Sequence, residues 1–120
     1  MPNLGTATRE AAEHFTEQTG ITIELDMNNL VLPGAWITPI SISFDRLDNS
    51  SATGVFEVYL IAGPNNSLTG DLEEISDMAE TVAAADIGQG TFETVTVSNP
   101  NQSPEPLNAL KFSWELTITD

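Results

Sequence analysis

His14 is the only histidine in the chain, and Glu10, Glu13 and Glu17 surround it in sequence. An imidazole beside carboxylates is the raw material of a metal site or a catalytic triad, yet either needs partners brought in by the fold. Taken alone, the pattern reads as a plain surface or boundary histidine. Carboxylates are abundant enough for many pairs, but acid–base catalysis needs one of them desolvated with a raised pKa. Here they fall on the polar faces of amphipathic segments, which favours plain solvation. Asp45, Asp48, Asn49 and Ser51 cluster in a hairpin connection and offer oxygens that suit calcium. Their spacing is not that of an EF-hand loop, and turns select the same residues for local hydrogen bonds. Gly88-Gln89-Gly90 follows a helical pattern instead of opening one, so it does not read as a phosphate loop. With no cysteine, there is no disulfide, thiolate metal site or cysteine nucleophile. The tripeptides Asn49-Ser50-Ser51 and Asn65-Asn66-Ser67 match the glycosylation pattern, which carries no weight without secretion. The expectation is a protein with no enzymatic activity, no cofactor and no resident metal.

Charge narrows the partners. Eighteen acidic residues stand against three basic ones, Arg9, Arg46 and Lys111, for a net charge of −15. Phosphate contacts come mainly from Lys and Arg, so sequence-specific binding of DNA or RNA is not expected. An anionic membrane surface is disfavoured for the same reason. A soluble, self-repelling surface or a salt-loving host would also give this balance. The 120 residues, 40 % of them hydrophobic, suit a single domain over 1–120 with a modest core. No apolar run approaches the roughly 20 residues of a membrane helix. Met1 to Thr16 lacks the basic end and apolar stretch of a signal peptide.

Two helical patterns stand among five strand-like ones. Leu4, Ala7, Ala11 and Phe15 recur at helical spacing, predicting a helix from about Gly5 to Gln18 that Gly20 stops. Ile21, Ile23, Leu25 and Met27 alternate with polar residues, the mark of a half-buried strand over 21–27. Leu30 to Trp36 is apolar but broken by a turn at Pro33-Gly34, and a second strand carries Ile40, Ile42 and Phe44 on one face. Pro39 lacks an N–H, so that strand is expected to start late or to lie partly at an edge. Gly54 to Ala62 is apolar on both faces, so it reads as central or as covered by another chain, with Glu57 its one surface charge. A second helix opens at an Asp71–Glu74 capping box. Its apolar stripe is Leu72, Ile75, Met78, Ala79, Val82 and Ala83, and its solvated face is Glu73, Glu74, Asp77 and Glu80. Thr91 to Ser98 reads as a β-rich strand whose imperfect alternation leaves room for a bulge. After the proline-studded loop 99–106, Leu110, Phe112, Trp114, Leu116 and Ile118 alternate in the strongest strand signal of the chain and are expected in the core with Ile75 and Val82. The fold class is therefore α+β in the order α-β-β-β-α-β-β. The expected architecture is a mainly antiparallel sheet of four or five strands with both helices on one face.

Three stretches carry a family resemblance: Leu32-Pro-Gly-Ala-Trp-Ile-Thr-Pro39, Val58-Tyr-Leu-Ile-Ala-Gly63 before the acidic helix, and Asn99 through Leu110. With the element order, they make the chain resemble tail terminator (tail-completion) proteins of long-tailed bacteriophages, particularly those of actinobacterial hosts. The resemblance implies a structural virion protein of the tail neck, made in the host cytoplasm and assembled as a hexameric ring. Such a ring caps the tail tube protein, ends its polymerisation and joins it to the head–tail connector or stopper protein. DNA passes through its lumen without sequence-specific binding. No residue of that family is catalytic.

The competing classes are another phage neck or head protein, such as a head–tail stopper or a decoration protein; an acidic binding module, calcium-dependent or from a salt-loving host; and, least favoured, an enzyme using a carboxylate pair. Apolar residues in a turn need a cover, so Leu30, Val31, Leu32 and Trp36 are the expected subunit contact unless they fold back on their own domain. Glu73, Glu74, Asp77 and Glu80 are the expected channel-facing carboxylates.

Overall fold

A computed structural model describes residues 4–26, 29–44, 51–63, 67–85, 87, 91–98 and 106–119. Along the chain run α1 (Leu4–Thr19), β1 (Ile23–Glu24), β2 (Gly34–Phe44), β3 (Ser51–Ile61), α2 (Leu68–Ala84), β4 (Glu93–Val97) and β5 (Leu107–Thr119). The fold is α+β, built on one five-stranded sheet in the order β1-β2-β3-β5-β4. The sheet is mixed: β1 runs parallel to β2, and every other pairing is antiparallel.

α1 buries Ala7, Ala11, Ala12 and Phe15 on one stripe. Gly20 ends it at φ +76°, where only glycine avoids a Cβ clash, and its N–H reaches the Thr16 carbonyl at 2.8 Å. Phe15, Ala79 and Val82 from the two helices meet Ile37, Phe56, Val58, Leu60, Phe112 and Trp114 in one apolar cluster, so both helices cover the same sheet face. β3 is the middle strand, as its two apolar faces require. Phe112 and Trp114 are buried, and Leu110 and Leu116 pack against them; the side chain of Ile118 lies outside the described residues.

Several local expectations are corrected. Of the strand expected over 21–27, Met27 lies outside the described residues, and the rest shrinks to Ile23–Glu24, with Leu25 turned outward at 44 % exposure. The chain must double back to enter β2 in the same direction, so pairing stops at Trp36, whose indole N–H donates to the Leu25 carbonyl at 3.2 Å. β2 starts at Gly34, earlier than the alternation of Ile40, Ile42 and Phe44 suggests. Its register shifts between Pro39 and Ser41, leaving Ile40 as an extra residue that is 53 % exposed. That bulge inverts the parity: Ala35 and Ile37 face the main core before it, and Ile42 does after it. Pro39 is tolerated because β1 pairs only with Ala35 and Trp36, which leaves the rest of the outer edge of β2 without a described partner.

α2 begins earlier too. Ser67, not Asp71, is its N-cap, with the hydroxyl accepting from Gly70 N at 3.0 Å. The Asp71 carboxylate instead accepts from Asn108 Nδ2 at 2.8 Å and ties the first turn of the helix to β5.

Candidate interaction surface

The sheet face turned away from the helices is apolar at one end and charged in the middle. Ile61, Val97, Leu107 and Ala109 form a second buried cluster with Leu30, and Leu32, Trp36, Tyr59 and Val95 pack around it. The Trp36 and Tyr59 rings, cross-strand neighbours, lie 5.1 Å apart. Next in the same row come Lys111 and Glu93. Lys111 Nζ sits 3.2 Å from Glu57 and 3.6 Å from Glu93, and the Tyr59 hydroxyl lies 3.5 Å from Glu57. Glu57 is therefore half-buried and engaged, where the sequence pointed to a plain surface carboxylate.

This network has a pH signature. Burial, then the negative charge of Glu57, pushes the Tyr59 hydroxyl above its ordinary 10.0. The hydrogen bond to Glu57, then its charge and that of Glu93, raises the Lys111 ammonium above 10.5. In both cases the folded state holds its proton more tightly than the unfolded chain. The stabilisation is complete below the unfolded pKa and is lost as pH rises through the folded one. Stability should hold from pH 8 to 10 and decline above about pH 10. Urea midpoints at pH 8, 10 and 11 check this, and Lys111→Met should flatten the decline.

Exposed large apolar side chains gather on the two opposite sides of the sheet. On the β1–β2 side they are Leu25, Val31 and Ile40, with Val31 the most open at 78 %. On the β4 side they are Leu68 and Leu72, at 61 % and 37 %. These two leucines, with Thr94, Val95, Thr96, Asn108 and Ala109, line a groove of about 540 Å³ between the first turns of α2 and β4. Among the described residues β4 is the terminal strand there, paired with β5 alone.

Of the four residues expected at a subunit contact, Leu30 is interior at 2 % exposure, and Leu32 and Trp36 are half-buried against the second cluster. Leu30 thus leaves the contact set, because the turn folds it back under its own sheet. Val31 alone offers a large free surface. Glu73, Asp77 and Glu80 are exposed on α2, but Glu74 is not one of that face: its Oε1 accepts from Gly63 N at 2.7 Å and latches α2 to the end of β3. Leu72 and Ala83, expected on the buried stripe, are exposed because cover from the sheet reaches only Ile75, Ala79 and Val82 fully. His14 lies at the surface, its ring stacked on Trp114 with centroids 6.0 Å apart. The oxygen-rich set of Asp45, Asp48 and Asn49, and the side chain of Ser51, lie outside the described residues. Among the described residues, no three His, Asp or Glu side chains gather as metal ligands would. No described helix is long and apolar enough to cross a membrane.

No family model matches the chain, and no curated protein matches it. The groove itself went unread in the sequence. Its one signal was the apolar stripe on α2 from Leu72 to Ala83, longer than the sheet beneath it has room to cover.

Proposed function

We propose that this chain is a structural virion subunit: a tail terminator that forms a hexameric ring, caps the phage tail tube, ends its polymerisation and joins it to the head connector. What supports the reading is one observation, the two separate sets of exposed apolar side chains, one flanking β1 and β2 and the other on the first turns of α2 beside β4. A ring is built from heterologous contacts, in which one patch of a subunit meets a different patch of the next. A symmetric dimer would need only one self-complementary patch. The resemblance of Leu32–Pro39 and Val58–Gly63 to the tail terminator pattern favours the same reading. The exposed carboxylates Glu73, Asp77 and Glu80 are the candidates for the lumen, where like charge keeps passing DNA from adhering.

The native mass of the purified protein, with electron micrographs of the same sample, tests this across 0.01 to 0.5 M salt. At −15 per subunit the copies repel one another. Rings should therefore be scarce at low ionic strength and accumulate as the Debye length falls to about 8 Å near 0.15 M. Added duplex DNA should leave the mass unchanged. A monomer at every salt concentration, with a melting temperature that follows calcium, would favour the acidic binding module. Tight DNA binding at low salt would overturn the lumen assignment.

A further inference from the structure

We infer that Pro39 and the bulge at Ile40 form a built-in stop, which keeps the open edge of β2 from taking up a strand of a second copy. The stop belongs to the single subunit and holds whether or not copies assemble into rings.

The edge needs one. β1 covers β2 only at Ala35 and Trp36, so among the described residues the outer edge from Ile37 to Phe44 has no partner. Pro39, Ile40, Ser41 and Ser43 are exposed along it, Ile40 at 53 %. An open edge rich in β-branched residues is a template for pairing, and proteins commonly guard such edges with charge. Here no charged residue lies between Asp26 and Asp45. The net charge of −15 repels copies from a distance, but salt at 0.15 M screens that repulsion beyond about 8 Å. A guard that still works in salt has to lie in the backbone of the edge itself.

The two residues have that effect. Pro39 has no N–H, so the ladder that a new strand would build loses a donor. Ile40 is an extra residue: Pro39 pairs with Phe56, and Ser41 with the adjacent Val55. Such a bulge bends the strand and breaks the even spacing of its edge groups. The placement of the core does not require it. With Ile40 removed, β2 would pair with β3 in one unbroken register, and Ala35, Ile37 and Ile42 would still share the helix-covered face. The β3–β5 and β4–β5 pairings run without a register break, and β1, β3, β4 and β5 contain no proline. β4 carries Glu93, and β5, unpaired on that side beyond Lys111 among the described residues, carries Glu115. Both interruptions thus fall side by side on the open edge that charge leaves unguarded.

Pro39→Thr combined with deletion of Ile40 removes the stop and adds no charge. The variant and the unaltered protein are compared at about 0.15 M salt, where charge repulsion is screened, over a range of protein concentrations. Native mass and amide hydrogen exchange of residues 37–44 are read together, and circular dichroism of dilute samples checks the fold. The variant should reach at least twice the mass of the unaltered protein, and its 37–44 amides should gain protection as concentration rises. A folded variant that matches the unaltered protein in mass and exchange overturns the stop. Association that leaves 37–44 exchanging as before also overturns it, because another surface would then be responsible. So does a variant that fails to fold, because Ile40 would then be part of the fold itself. The mass of the unaltered protein, ring or monomer, tests the ring reading separately.

Discussion

Phe112→Ala should lower the free energy of unfolding by about 3–5 kcal/mol, the range for emptying an aromatic site in a packed core. Phe112 is 2 % exposed and sits on β5 directly across from Val58 of the central strand. Its ring meets Phe92 edge-on, with centroids 5.2 Å apart, a geometry that adds to simple burial. Val58, on the middle strand, offers no flexible neighbour to fill the hole, so the site should collapse little. Urea unfolding at one fixed protein concentration measures the loss, since assembly would otherwise contribute to apparent stability. A loss below about 1 kcal/mol would mean that this face of β5 is not the core.

Gly34→Ala is the second large effect, and it acts through backbone. A Cβ at Gly34 would overlap the Val31 carbonyl oxygen and press Leu30 Cδ1 at 3.1 Å. A side chain could swing away, but a carbonyl oxygen moves only with its chain. The 30–33 turn must shift, dragging buried Leu30 out of the second cluster, and the cost should be about 1–3 kcal/mol. The same shift displaces Val31, so assembly should weaken at salt concentrations where the variant is still fully folded. Urea midpoints and native mass, read on one sample, separate the two effects. An unchanged midpoint would show that the turn gives way freely.

Much of the fold was legible because periodicity is a local property. Ala7, Ala11 and Phe15 with the Gly20 stop marked α1; apolar residues on both faces marked β3 as central; and Phe112 and Trp114 marked the inner face of β5. Each of these signals is written in consecutive residues and survives whatever else the chain does.

The errors share a different origin. The alternation from Ile21 to Met27 is real, but strand length is limited by the neighbour available, and β2 offers β1 only Ala35 and Trp36. The parity of β2 on either side of Ile40 depends on one extra residue against β3, which no spacing within β2 announces. Glu74 carried the pattern of a solvated carboxylate until the end of β3 brought the Gly63 N–H to it. Glu57 looked like a surface charge until β5 set Lys111 beside it.

The candidate surface divides in the same way. That Met27 to Phe44 lacks charge, and that α2 carries an apolar stripe, was determined by the sequence alone. Which of those apolar residues stayed outside was decided by tertiary structure. The sheet covers Ile75 and Val82 but not Leu68 or Leu72, and the second cluster takes Leu30 but leaves Val31. Local patterns set which residues are apolar, while exposure depends on how far distant elements extend over them, a quantity that exists only once the chain has folded.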